Sequence, residues 1–307
     1  MVRFGSVGPV LLSLGSCVVV AAAIFDLAGA RGVGSVVSAP GPVPPHRICL
    51  DGSLYALSFA QRFSDTRSWR NENGGSWFTQ YPFGRANPGA RDAAYYVDAG
   101  AGVGTPNYDP FSISDGNVLR IDAQPATHIR GLSPADIYGH EFVSGVLSTN
   151  GPKSSAGFSQ RFGFYEVSAK LPGGQGVWPA FWMLDAHGAR AEVDVFELLG
   201  QDRSTIYQSV HYANGDGESH PTHVDFDPTA GFHRYGVLIT PTVDDYYIDG
   251  VRTHSERDAS VGEFYFMLSV QIGAPDSWPG PPDETTPWPA SLYLQYFRAY
   301  RPTAVSC

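Results

Sequence analysis

The chain has no long stretch with apolar residues at i, i+3, i+4 and i+7, so a helical architecture does not fit it. Positive charge is also scarce: 20 Lys and Arg stand against 30 Asp and Glu, a formal net charge of −10. Nucleic-acid binding relies on neutralising phosphates with basic side chains, so that class of partner is excluded. A neutral or mildly charged polysaccharide remains compatible, and a heavily acidic one is disfavoured. No internal repeat and no second domain is visible. The run Gly100-Ala101-Gly102-Val103-Gly104 is not a dinucleotide fingerprint, because no helix follows it; it is a turn. Cysteine is limited to three residues, Cys17, Cys49 and Cys307.

Short alternating runs are what the chain does have. They fall at 118–123, 163–171, 205–212, 235–240, 245–248, 265–271 and 292–300, with turn residues between them. Aromatic residues at 13%, with 35 Gly and 24 Pro, suit an all-β, antiparallel β-sandwich with many turns. A length of 307 residues leaves room for one such domain of about 250 residues. At the amino terminus, Arg3, a nearly apolar stretch over 7–25 and Ala28-Gly29-Ala30 describe a secretory signal over 1–30, cut after Ala30. An uncleaved membrane anchor is the alternative. Residues 31–47, rich in Gly, Pro, Ser and Val, are expected to form a flexible lead-in to a domain over 48–307. The expected location is therefore secreted or periplasmic, or membrane-anchored if the signal stays. Cys17 would leave with the signal. Domain ends often lie close together and an exported chain can oxidise its thiols, so a Cys49–Cys307 disulfide is expected, with two free thiols as the alternative.

The segment Glu192-Val193-Asp194-Val195-Phe196-Glu197 puts three carboxylates into six residues of an otherwise apolar strand. Burying an unpaired carboxylate is costly, so three in a core strand call for a use. Glu192 and Asp194 share a face by alternation, whereas Glu197 would point the other way in a regular strand. One extra residue, a β-bulge at Val195-Phe196, returns Glu197 to their side. Glu192 and Glu197 then span about four strand steps, roughly 13 Å of backbone. Two long side chains leaning inward on a bent strand can close that gap. Retaining glycoside hydrolysis needs two carboxyl groups about 5–5.5 Å apart, which makes Glu192 the nucleophile and Glu197 the general acid, later the base. Asp194, between them, shares a proton that orients Glu192 and keeps it charged. Calcium binding is the weaker reading, since the intervening residues are Val, Val and Phe rather than oxygen donors.

With these acids in view, the chain resembles glycoside hydrolase family 16, the family of laminarinases, lichenases and related β-glycanases. Glu192, Asp194 and Glu197 match the longer form of its signature, E-x-D-x-x-E. Upstream, Phe162-Gly163-Phe164-Tyr165-Glu166-Val167 and Lys170-Leu171-Pro172 resemble the family strand leading to the cleft. Gly176-Val177-Trp178-Pro179-Ala180-Phe181-Trp182-Met183-Leu184 resembles its tryptophan-bearing segment. Downstream, Phe232-His233-Arg234-Tyr235-Gly236 with Tyr247-Ile248-Asp249-Gly250 resembles a family hairpin. The stretch from Trp278-Pro279-Gly280-Pro281-Pro282-Asp283 to Tyr296-Phe297-Arg298-Ala299-Tyr300 resembles its closing loop and last strand. The match is good over 140–301 and loose over 54–139. Two positions depart from many relatives: Phe164 replaces an Arg, which bears on the sugar held, and Ala191 replaces a Gly.

The resemblance implies a β-jelly roll with a concave substrate cleft and an exported endo-β-glycanase acting on β-1,3 or β-1,4 glucosidic bonds with retention. The loop at Gly200-Gln201-Asp202 and the stretch Ala230-Gly231-Phe232-His233 lean toward bacterial enzymes that cleave exopolysaccharides. The alternatives are a carbohydrate-binding jelly roll without turnover and a transglycosylase with the same triad. The resemblance also implies that Trp178 and Trp182 reach the minus subsites, where indole stacks on sugar C–H faces. Trp278 and Trp288, in the Pro-rich loop, are candidates for the cleft rim or for stapling that loop. His211 is expected on the strand beside the acids, in contact with sugar or with Glu197. His220, His223 and Asp225 have metal-ligand residue types, but Pro221 and a loop-like composition argue against a site there. No cofactor is required; a structural calcium ion on the convex face is frequent in the family. No obligate protein partner is expected.

Overall fold

The computed structural model describes residues 43–307, apart from 115–116, 156, 188–190, 213 and 258–261. The expected signal segment, Cys17 and the lead-in as far as residue 42 lie outside the described residues. From the amino terminus the strands are β1 (Arg47–Leu50), β2 (Ser53–Arg62), β3 (Ala94–Tyr96), β4 (Phe111–Ser114), β5 (Val118–Pro125) and β6 (Phe142–Ser144). Next come β7 (Val146–Ser148), β8 (Gly163–Lys170), β9 (Val177–Asp185), β10 (Glu192–Glu197), β11 (Thr205–His211) and β12 (Gly217–His223). The last are β13 (His233–Ile239), β14 (Asp244–Ile248), β15 (Val251–Glu256), β16 (Phe264–Ile272) and β17 (Ala290–Ser306). Among the described residues the helical segments are short 3₁₀ turns, and none is long and apolar enough to cross a membrane.

The strands form a sandwich of two sheets. The larger, with eleven strands, runs β15-β14-β13-β8-β17-β5-β6-β3, with β2 and β1 added beside β17 and β4 beside β5. The smaller, with six, runs β12-β11-β10-β9-β16-β7. Pairing is antiparallel except for the short β3–β6 pair, which is parallel. Period-two alternation decides what lies between the sheets. In β9, Val177, Phe181 and Met183 enter the main core, while Ala180, Trp182 and Leu184 face the other way. In β16, Phe264, Phe266, Leu268, Val270 and Ile272 enter that core, whereas Tyr265 and Met267 do not. The facing sheet contributes Tyr165, Val167 and Ala169 of β8 and Leu292, Leu294, Phe297 and Ala299 of β17.

The second face of the smaller sheet carries its own apolar cluster. Tyr81 and Tyr96 lie against Val146, Ala180, Trp182, Tyr265 and Met267. The segment between β2 and β3 thus folds over one end of this face and leaves the rest open as a cleft. At the start of β9, Gly176 has φ 75°, and a Cβ there would stand 2.3 Å from the backbone nitrogen of Pro282. Only glycine fits where the closing loop presses on the tryptophan-bearing strand.

Every run expected to be extended is a strand. The segment 217–223 corrects the loop reading. It is an edge strand whose mostly exposed Gly-Glu-Ser-His-Pro-Thr-His sequence lacks an apolar stripe, and an edge is where a strand tolerates a proline such as Pro221. The chain joins the sheet at Arg47, the last residue of the expected lead-in, which pairs with Ala56. Cys49 and Cys307 form a disulfide across 258 residues with Cα atoms 6.0 Å apart. It ties β1 to the residue following β17.

Candidate active site

The three acids sit on β10, between β9 and β11 at the middle of the smaller sheet. Against β9, Asp194 pairs with Trp182 and Phe196 with Phe181, so Val195 is an extra residue. Against β11, Asp194 pairs with Ser209 and Glu197 with Tyr207, three steps against two. This is the bulge that the spacing requires. Its consequence is visible in the packing: Val193, Val195, Phe196 and Leu198 all enter the core. Glu192 and Glu197 line one cavity of about 580 Å³ on the opposite face.

Burial sets the charges. Glu197 is 8% exposed and Asp194 is 2% exposed. Desolvation, reinforced by Asp194 and Glu192, holds the Glu197 carboxyl well above the usual range; a hydrogen bond from Trp178 Nε1 to Glu197 Oε1 at 2.9 Å opposes that rise. Asp194 is likewise pushed well up by desolvation and by Glu192. Glu192 is raised by desolvation, but His211 and a hydrogen bond shared with Asp194 pull it back. Asp194 and Glu197 thus hold their protons more tightly than an ordinary carboxyl, and Glu192, eased by His211 and Asp194, is raised less. His211 Nε2 lies 3.3 Å from Asp194 Oδ2, an ion-pair distance that does not satisfy hydrogen-bond geometry, so Oδ2 stays without a hydrogen-bond partner. His211 also lies opposite Glu192 in register, lines the same cavity, and opposes the rise at Glu197 as well as at Glu192.

The aromatic residues divide by exposure. Trp178 and Trp182 line the cavity but are 8% and 5% exposed. Trp178 reaches Glu197, while Trp182 donates to Ser269 Oγ at 3.2 Å and packs edge-on to Tyr81. Trp278 is 47% exposed, edge-on to both Trp178 and Tyr207. Phe83, stacked on Tyr81 and 52% exposed, lines the same cavity and was not singled out by the sequence. The turn around it, Tyr81-Pro82-Phe83-Gly84, is the only hint there. Ser209 and Ser219 also line the cavity, and the alternation of Tyr207, Ser209 and His211 along β11 was the signal for the first of them. Trp288 lies elsewhere, stacked on Phe142 where it holds the loop before β17.

Among the described residues, groups of three or more metal-ligating side chains converge at Glu192, Asp194 and His211 in the cleft, and at His220, His254 and Glu256. Each includes an imidazole, a poor ligand for calcium, so neither is the oxygen cage that ion takes.

A model of the family described as "Glycosyl hydrolases family 16" matches residues 111–289, which contain all of these acids. The chain belongs to glycosyl hydrolases family 16. Two relatives from Rhizobium meliloti (strain 1021), the endo-1,3-1,4-beta-glycanases ExsH and EglC, are each 30% identical to it, over 262 and 261 residues. These alignments take in 83% and 82% of the chain but 53% of each relative, so the chain spans about half their length. Among solved structures, the laminarinase catalytic domain from Thermotoga maritima is 26% identical with a TM-score of 0.66, covering 80% of this chain and 98% of that one. The endo-beta-1,3-glucanase from Pyrococcus furiosus shares the fold at a TM-score of 0.68, with 24% identity over 85% of this chain and all of the other.

One departure from the family pattern is relocated by the structure. Phe164 packs with Tyr55, Leu238, Tyr247 and Tyr300 on the outer face of the larger sheet. It does not line the cleft, so the expectation that it bears on the sugar held is corrected.

Proposed function

We propose that this family 16 domain hydrolyses internal β-1,3 or β-1,4 glucosidic bonds of a polysaccharide with retention of configuration. The reading rests on one observation: the extra residue at Val195 puts Glu192 and Glu197 into the same cavity while leaving the strand's apolar residues in the core. In the first step Glu197 delivers its proton to the glycosidic oxygen, the C1–O bond breaks, and a Glu192 oxygen bonds to C1. In the second, Glu197 takes a proton from water, the water oxygen attacks C1, and Glu192 leaves. Two inversions at one carbon give retention. Water is the only co-reactant, so the chemistry calls on no cofactor. Trp278 and Phe83, exposed at the cavity wall, suit the apolar faces of successive sugar rings. Asp194, protonated and buried, positions Glu192.

The Rhizobium relatives, both endo-1,3-1,4-beta-glycanases, favour mixed 1,3-1,4 specificity. The Cys49–Cys307 bond favours an exported protein folded in an oxidising compartment. The test is reducing-sugar release from laminarin, mixed-linkage glucan and a bacterial exopolysaccharide by wild type and Glu192→Gln. The variant is expected to lose roughly a thousandfold or more in rate with its fold intact. Equal release by the variant would remove Glu192 from the mechanism, and release from none of the three polysaccharides would remove the substrate class.

A further inference from the structure

The edges of the two sheets meet along a seam formed by β12 of the smaller sheet and β15 of the larger. Gln208 of β11, fully buried, joins them: its Oε1 accepts from Thr222 Oγ1 of β12 at 3.1 Å and from Thr253 Oγ1 of β15 at 2.7 Å. Beside this link, His220 of β12 and His254 of β15 stack with ring centroids 3.3 Å apart and planes 25° from parallel. Glu256, two residues after His254, brings Oε2 to 3.7 Å from His220 Nε2. Its Oε1 accepts from Arg257 N at 2.7 Å. One nitrogen of each ring and one carboxylate oxygen of Glu256 all lie within 4.8 Å of one another.

The stack leaves two polar atoms unexplained. Nε2 of His220 and Nε2 of His254 are both shielded from solvent, and neither has a hydrogen-bond partner. A buried nitrogen without a partner is costly, and here two occur in contacting rings beside a carboxylate. Neither half of the seam explains that on its own, since the rings come from different sheets.

We propose that His220, His254 and Glu256 bind a divalent transition-metal ion of the zinc class, which clasps the two sheet edges. Two imidazoles and one carboxylate are a ligand set zinc accepts, and calcium and magnesium, which take oxygen donors, do not match it. Zinc holds nitrogen and oxygen at about 2.0–2.2 Å, which sets two ligands of a tetrahedral ion roughly 3.4 Å apart. The 3.7 Å between His220 Nε2 and Glu256 Oε2 is close to that spacing, whereas the two rings, stacked at 3.3 Å, must part to about 5 Å between centroids for both nitrogens to face one ion. Three protein ligands leave a fourth position for water.

The clasp acts on the cleft through one strand. Ser219 precedes His220 on β12, points to the opposite face and lines the cleft; its Oγ accepts from Ser209 Oγ, another cleft residue, at 2.9 Å. Fixing His220 therefore fixes one wall of the cleft. It does so without touching the carboxylates.

The experiment uses the full chain without a histidine tag, stripped by chelator and titrated with Zn²⁺ by calorimetry and with Co²⁺ by visible absorption. Wild type and Glu192→Gln, which disables the other ligating cluster, are both expected to bind one ion and to gain several degrees in Tm. Co²⁺ is expected to give the intense bands of a tetrahedral site. His254→Gln and Glu256→Gln are each expected to weaken binding at least about tenfold. Glu256→Gln leaves the imidazole stack in place, so it decides the matter should His254→Gln fail to fold. A wild type that binds no Zn²⁺, or Glu256→Gln binding as tightly as wild type, would leave only a stacked imidazole pair and overturn the proposal. Binding lost in Glu192→Gln would put the ion in the cleft and overturn it as well.

Discussion

At the scale of single residues, three neighbouring carboxylates are made unequal by what surrounds each one. Glu197 is buried beside two other acids, and Glu192 is opposite a histidine. Both pKa values are raised, Glu197's well above the usual range. The proposed mechanism needs Glu192 ionised and Glu197 protonated in the free enzyme, so kcat/KM should trace a bell whose acid limb belongs to Glu192 and whose alkaline limb belongs to Glu197. Trp178 donates to Glu197 and favours its ionised form. Trp178→Phe should therefore move the alkaline limb to higher pH and leave the acid limb in place; a downward move would contradict the assignment. Stability follows with its own sign. A carboxyl whose folded pKa lies above the ~4.3 of an unfolded Glu holds its proton more tightly when folded. Its contribution to stability is intact below that value and is lost as pH rises through the folded pKa. Glu197→Gln should match wild type at low pH and surpass it toward neutral pH, by about 2–4 °C in Tm for each kcal/mol regained. Thermal melts across pH check this, and a variant less stable than wild type at pH 7 would count against a proton-holding Glu197.

Individual strands explain what the sequence disclosed and what it withheld. The bulge was legible because Glu192, Asp194 and Glu197 share a face only if one residue is extra, while Val193, Val195 and Phe196 supply apolar side chains for the core. The strands β9 and β16 were legible because alternation and aromatic content agree there. The strand β12 was not: His220, Pro221 and His223 read as loop, and only pairing with β11 makes them extended. His254 and Glu256 lie on β15, a strand absent from the alternating runs, so their meeting with His220 was out of reach. Exposure was equally hidden. Trp178 and Trp182 match the family pattern, but sequence carries no sign that both are nearly buried while Phe83 and Trp278 stand open. That difference depends on the β2–β3 segment folding back over the sheet.

For the described residues as a whole, the main structural fact is that the first strand and the residue after the last are joined at one place. The strand β17 crosses the larger sheet, pairing with β5, β8 and β2, and ends beside β1. Cys307 N donates to Gly52 O at 3.1 Å, and the disulfide to Cys49 closes the ring. Closing a loop of 258 residues removes much of the freedom of the unfolded chain. Cys49→Ser with Cys307→Ser should lose roughly 2–5 kcal/mol, read as a lower urea midpoint, with kcat unchanged because the bond lies in the larger sheet. An unchanged midpoint would mean that the hydrogen bonds of β17 suffice.

The most direct test of the account is to trap the sugar on the protein. A 2-deoxy-2-fluoro oligoglucoside with a good leaving group slows the second step more than the first, so the covalent intermediate accumulates for peptide mass spectrometry. The added mass is expected on Glu192 in wild type and on no residue in Glu192→Gln. An adduct on Glu197, or inverted product with no adduct at all, would contradict it.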